Sequence, residues 1–232
     1  MATNNLKPWQ RFIVPFFGYN SNIAKRAFIG TAFIVKPCLL ITAGHNILGV
    51  EGKNYSNFCI ELAGKVVILN KLIHSEHHSV TPEEEGIFHD LAIYHLNDII
   101  TSIDMESAFN LTQKDVNPIE NYMIYGFDQQ NHTQVIDSTP TYINTLPESD
   151  TSSSRFGDNQ RLFTNCIKLY PVGTFGNSGC PLFKDIDVYG MFISTVSKNK
   201  GESVLFSIYS RVLKASYIQG IISRYCIDAH SR

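Results

Sequence analysis

Apolar residues in this chain come in short runs rich in Val, Ile, Phe and Tyr, broken by Gly, Pro, Asn and Asp, the pattern of β-strands separated by turns. Residues 12–17 read as a first strand region. Residues 26–35 and 38–42 read as two strands joined by a tight turn at Lys36-Pro37, so that His45 follows directly on a strand. Residues 58–62 and 65–73 continue the pattern around an Ala63-Gly64 turn, and residues 74–85 read as a polar surface loop that delivers the chain to Asp90 and a strand over 91–96. A polar connection over 97–117 separates two lobes. In the second lobe residues 122–127 read as a strand, 134–146 as a hairpin arm, 147–159 as an exposed loop and 162–169 as a strand; two further strands, 188–196 and 203–209, meet at a turn over 198–201. Only the last segment changes period. Val212, Leu213, Tyr217, Ile218, Ile221, Ile222 and Tyr225 fall at helical spacing behind Ser210, a suitable N-cap, which predicts an amphipathic helix over about 211–226.

Length and charge narrow the function classes. At 232 residues the chain can bury a sizeable core, and an all-β chain of this size commonly forms one domain, here with lobes over about 11–105 and 118–209. A net charge of −2 with 17% charged residues gives no sign of a nucleic-acid surface or a polybasic membrane patch. No apolar run reaches the roughly 18 residues of a membrane span. Residues 12–17 are too short and Pro-broken for a signal-peptide core, so a cytoplasmic location is expected, although export without a leader would leave the same sequence. Five cysteines, Cys38, Cys59, Cys166, Cys180 and Cys226, are an odd number in a chain without that leader and are expected to be reduced thiols, mostly buried. A monomer is expected.

Chemistry concentrates in Gly173-Thr174-Phe175-Gly176-Asn177-Ser178-Gly179-Cys180-Pro181-Leu182, which sets one serine between glycines in an apolar setting. Such a turn can aim the backbone N–H groups of Gly176 and Ser178 into one concavity, where they would stabilise the oxyanion of an acyl-transfer intermediate. Alone, Gly-Asn-Ser-Gly is also an ordinary surface turn. Two other stretches change its meaning: Leu40-Ile41-Thr42-Ala43-Gly44-His45-Asn46 and Phe88-His89-Asp90-Leu91-Ala92-Ile93. They supply a base and a carboxylate in the chain order His45, Asp90, Ser178, with separations 90 − 45 = 45 and 178 − 90 = 88 residues.

On these motifs the chain resembles the chymotrypsin-like serine peptidases, whose signatures are Thr-Ala-Ala-His, Asp-Ile-Ala-Leu and Gly-Asp-Ser-Gly-Gly-Pro-Leu segments. Ile208-Tyr209-Ser210-Arg211-Val212 is similar to the Val-Tyr-Thr-Arg-Val that introduces their C-terminal helix, so the resemblance spans about residues 26–226. It implies two antiparallel six-stranded β-barrels with the site in the cleft between them, a C-terminal helix, and endopeptidase activity on a protein or peptide substrate without a cofactor. Ser178 would be the nucleophile, His45 the base that takes its proton and returns it to the leaving amine, and Asp90 the group that fixes the imidazole tautomer.

Departures from the family pattern are informative. Asn46 stands where secreted relatives carry a cysteine, so their disulfide is missing here. Asn177 replaces the aspartate that pairs with a newly cut N-terminus, which predicts no zymogen activation of that kind. The Thr-x-Gly-Asn-Ser-Gly pattern looks more like bacterial and viral members than like digestive enzymes. Cys180 replaces a glycine or serine and is expected to pack as a small buried group. Val172 stands at the position of trypsin's acidic pocket floor, which argues against Lys or Arg preference, and the absence of histidine from the following strand argues against Glu. Val172, Phe192, Ile193 and Ser194 are the candidate pocket residues for an apolar or small side chain, and Ser194 is also a candidate to support Asp90.

The cluster His74, Glu76, His77, His78 has no standard metal spacing and reads as a solvated loop, as does Glu83-Glu84-Glu85, so no metal is expected. Two other readings are possible. A catalytically silent binding module on the same fold would have no need of all three triad groups. An α/β-hydrolase is disfavoured by the triad order and by Cys180, which breaks the Gly-x-Ser-x-Gly elbow.

Overall fold

The computed structural model describes residues 7–20, 25–36, 38–48, 55, 57–77, 90–96, 108–117, 119–128, 134–137, 143–144, 148–150, 161–163, 165–169, 176–199 and 205–230. A 3₁₀ turn, Pro8–Phe12, leads into strands β1 (Ile13–Asn20), β2 (Lys25–Val35) and β3 (Leu39–Thr42). One helical turn, α1 (His45–Leu48), is followed by β4 (Asn57–Leu62), β5 (Lys65–Leu69), β6 (Leu72–His77) and β7 (Asp90–His95). These strands form one antiparallel sheet in the order β5-β4-β1-β2-β3-β7-β6. The second sheet draws on β8 (Asn110–Leu111), β9 (Met123–Phe127), β10 (Gln134–Asp137), β11 (Ile143–Asn144), β14 (Cys166–Leu169), β15 (Pro181–Lys184), β16 (Asp187–Asn199) and β17 (Leu205–Lys214). Its order is β10-β9-β15-β16-β17-β14-β11, with β8 added in parallel on β16. β12 (Glu148–Asp150) and β13 (Arg161–Phe163) pair separately, and helix α2 (Ala215–His230) closes the chain.

This is the all-β, two-sheet architecture with a C-terminal helix that the motifs implied; among the described residues the sheets carry seven and eight strands where six each were expected. Position in the sheet order explains the burial of the first sheet's central strands. β2 ends in a fully buried run and β3 is buried throughout, because both lie in the middle of the sheet order. The two sheets share one apolar core: Phe33, Ile41, Ile60 and Leu91 from the first join Tyr125, Phe183, Met191 and Ile193 from the second in a single cluster of buried side chains.

Several elements differ from the sequence reading. Residues 74–77 are not loop but the end of β6, paired with β7 from Leu72↔Tyr94 to His77↔Asp90. Their polar composition is compatible with the terminal position of β6 in the sheet order, and the side chains of His74, Ser75 and Glu76 are partly exposed. Within the stretch 134–146, β10 is an arm of an antiparallel pair with the preceding β9, as expected, but the arm does not run on: β11 pairs with β14. The connection over 97–117, read as polar, also carries core residues: Ala108 and Phe109 are fully buried, and Lys36 N–H bonds the Phe109 carbonyl. Ser210 is no N-cap. It is a buried residue of β17, opposite Leu169 and Thr195, and the helix starts at Ala215. Residues 211–214 satisfy a helical spacing and a strand equally well, and backbone pairing with both β14 and β16 decides for the strand.

Candidate active site

Strand register brings His45 and Asp90 together. β3 and β7 run antiparallel with Thr42 opposite Ala92. His45 lies 45 − 42 = 3 residues beyond that pair on one strand and Asp90 lies 92 − 90 = 2 residues before it on the other, so both emerge at the same end. Gly44 makes the exit possible. A Cβ there would lie 2.0 Å from the Glu76 carbonyl oxygen of β6, so the alanine of the family's Thr-Ala-Ala-His segment would not fit against this edge strand.

Two bonds then fix the pair. The His45 backbone N–H donates to Asp90 Oδ1 at 2.7 Å, and His45 Nδ1 stands 2.6 Å from Asp90 Oδ2. Because an ionised carboxylate only accepts, Nδ1 carries the proton and Nε2 is the nitrogen left to act as base. The Asp90 side chain is 2% exposed and the His45 side chain 31%, so the carboxylate is covered while the imidazole keeps an open face. Burial alone would lower the imidazole pKa. The Asp90 charge and hydrogen bond outweigh it together and raise the pKa above its ordinary value.

Ser178 sits half-buried in the turn before β15. Two glycines with left-handed backbone make the turn, Gly176 at φ 100° and Gly179 at φ 91°. Two backbone bonds hold it on β16, Gly179 N–H to the Phe192 carbonyl and Phe192 N–H to the Cys180 carbonyl, and a third, Cys180 N–H to the Asn177 carbonyl, closes the turn, each 2.8 Å. Among the described residues, neither the Gly176 nor the Ser178 N–H is taken by another backbone carbonyl.

A buried polar network connects this turn to the first sheet. Thr31 N–H donates to the Ser178 carbonyl at 2.9 Å, and the Thr31 hydroxyl donates to the Gly176 carbonyl at 2.9 Å while accepting Phe127 N–H at 3.0 Å. Thr42 Oγ1 donates to the Thr31 carbonyl at 2.7 Å. Asn46 Nδ2 donates to Thr42 Oγ1 at 2.9 Å and to the Ser178 carbonyl at 3.1 Å. Motif reading singled out neither Thr31 nor Thr42, and it saw Asn46 only as a missing cysteine.

The other anticipated residues fall as follows. Asn177 is buried and donates from Nδ2 to the Phe127 carbonyl at 3.3 Å, a neutral contact where the family's zymogen-activated members need a charge. Cys180 is fully buried against Thr31, Asn177 and the Phe127 backbone, and burial pushes its thiol pKa up to about 12, so it is packing rather than a nucleophile. Cys38, Cys59 and Cys166 are likewise free thiols, and the Cys226 side chain lies outside the described residues. Phe192 and Ile193 are buried, Ile193 within the shared core; half-buried Ser194 accepts a bond from Arg211 Nη1 at 3.3 Å. Val172, His78 and Glu83 to Glu85 lie outside the described residues. Glu76 accepts hydrogen bonds from the Tyr217 hydroxyl at 2.9 Å and from His74 Nε2, which ties α2 to β6.

No protein-family model matches the sequence, and no curated protein matches it either. Solved structures do. The active form of the Rv3671c protease from M. tuberculosis aligns with a TM-score of 0.61 at 13% identity, covering 92% of this chain and 80% of that one. Kallikrein-related peptidase 10 aligns with a TM-score of 0.61 at 14% identity, over 96% of this chain and 98% of its own. The scabies mite inactivated protease paralogue S-I1 aligns with a TM-score of 0.58 at 15% identity, over 94% and 96%. The chain therefore has the chymotrypsin-like fold.

Proposed function

We propose that this protein is a serine endopeptidase. The observation that carries the reading is the His45–Asp90 pair: a covered carboxylate bonds both the backbone and Nδ1 of a half-open histidine, on the fold where that pair serves a serine. Ser178 Oγ attacks the substrate carbonyl carbon while His45 Nε2 takes the hydroxyl proton. The tetrahedral oxyanion is met by the Gly176 and Ser178 N–H groups. Collapse breaks the C–N bond, and the imidazolium returns its proton to the leaving amine. Water, deprotonated by His45, then attacks the acyl-enzyme, and Ser178 leaves with the proton restored. Asp90 stays ionised throughout and stabilises the imidazolium. The chain works without a cofactor or metal, as a monomer, on a protein or peptide whose side chain at the cleaved bond is apolar or small.

A second reading, a silent binding module, has support in the scabies mite paralogue, which shares the fold and is described as inactivated. One experiment separates the two. Intact-mass spectrometry after treatment with a fluorophosphonate should give one adduct on the wild type and none on Ser178→Ala or His45→Ala. A folded wild type that takes no adduct overturns the peptidase reading.

A further inference from the structure

The carboxamide of Asn46 reaches the nucleophile's own residue while standing next to the base in sequence. We infer that Asn46 is a positioning residue that holds the Ser178 main chain in register with His45; this rests on the peptidase reading.

Donor and acceptor chemistry fixes how the residue is oriented. The Ser178 carbonyl can only accept, so Asn46 must present its NH₂ to it. The Thr42 hydroxyl spends its hydrogen on the Thr31 carbonyl, so it too can only accept from Asn46. Both contacts therefore require the same NH₂ group, and its two hydrogens serve one acceptor each. Thr31, Thr42 and Asn46 are all buried, so these bonds are not exchanged for water.

Geometry makes the link specific to the site. Asn46 adjoins His45 in sequence and sits in α1, whose first turn bonds Asn46 N–H to the Ala43 carbonyl. Its bond to Thr42 is local, four residues back, but its bond to Ser178 spans 132 residues and crosses from one sheet to the other. There is no slack around it. A Cβ placed on Gly30 would lie 2.6 Å from Asn46 Nδ2 and 2.9 Å from the Ser178 carbonyl oxygen, so β2 has a glycine where the carboxamide crosses. The link between the residue beside the base and the nucleophile turn is a hydrogen bond, which does not depend on redox state.

Two variants test the role, with and without reference to catalysis. Asn46→Asp keeps the shape but turns a donor into an acceptor facing two acceptors, and Asn46→Ala removes the bridge with less stress on the fold. Misplacing reacting groups by about an ångström costs on the order of 100-fold in rate. Both folded variants should react with fluorophosphonate about 10- to 100-fold more slowly than wild type and lose peptide-hydrolysis kcat with little change in KM. Independently, hydrogen exchange should accelerate at the Thr31 amide, whose acceptor is the Ser178 carbonyl, and across residues 176–180, while β4 and β5 keep wild-type protection. Wild-type reaction rate and exchange in folded Asn46→Ala would overturn the role. A wild type inert to the reagent would overturn the peptidase reading instead, and the exchange comparison alone would then decide whether Asn46 holds the turn.

Discussion

His45 and Asp90 make the sharpest prediction at the scale of single residues. Folding raises the His45 pKa above its unfolded value of about 6.5. The protonated form therefore favours the fold: that stabilisation is fully present below about pH 6.5 and disappears as pH rises through the shifted folded value. Catalysis has the opposite requirement, since only neutral imidazole accepts the serine proton. The acidic limb of kcat/KM should thus lie above pH 6.5 in the wild type. Asp90→Asn removes the charge that, together with its hydrogen bond, outweighs burial, so the limb should move down, and the rate at its plateau should fall by about 10⁴-fold as the tautomer is lost. A pH–rate profile of the two proteins checks both shifts, and an unmoved limb would show that Asp90 does not set the imidazole pKa. These residues were legible in sequence because motif and order are local and linear. Gly44 was not: its reason, the Glu76 carbonyl on another strand, is a contact no local pattern encodes.

The serine turn and β9 show how elements approach each other at the site. A Cβ on Gly126 would lie 1.9 Å from Cys180 Sγ and 2.9 Å from Thr31 Oγ1, so β9 passes the turn at a distance only glycine allows. Overpacking of this kind costs about 1–3 kcal/mol. Gly126→Ala should lower stability by at least about that amount and slow labelling of Ser178. Cys180→Ala removes the sulfur that the new methyl meets, so the double variant should recover much of the loss. Denaturant midpoints around this cycle give the coupling, and strict additivity would mean that the two positions do not meet. The sequence announced β9 by its apolar run and the turn by its glycines, yet not that they touch. The same limit explains the misread elements. Ser210 to Lys214 carry an apolar spacing shared by helix and strand, and β11 finds its partner, β14, some way along the chain rather than in β10 beside it.

Across the whole molecule, the site depends on both sheets keeping one relative placement, since Thr31 and Asn46 reach from the first to hold a turn of the second. Apolar packing enforces that placement. Phe109, from the connection between the lobes, packs edge-on against Phe33 of the first sheet and Phe183 of the second at centroid distances of 6.4 and 5.0 Å. Trp9 begins the chain that becomes β1 but packs on Tyr125 and Phe183 of the second sheet, at 5.0 and 4.8 Å, and the adjacent Gln10 donates to the Tyr125 hydroxyl at 2.7 Å. Two lobes with separate cores would unfold in separate steps; a core shared in this way should lose both at once. Trp9 is the sole tryptophan, so its fluorescence reports this junction, while far-ultraviolet circular dichroism reports strands in both sheets. The two denaturation curves should coincide. Phe109→Ala should move both to lower denaturant together, by the 3–5 kcal/mol or so that a buried Phe→Ala substitution costs. A fluorescence transition that precedes the loss of strand signal would mean that the junction opens first, and Ser178 labelling should then be lost with the fluorescence and not with the fold, because the nucleophile turn and the base are carried by different sheets.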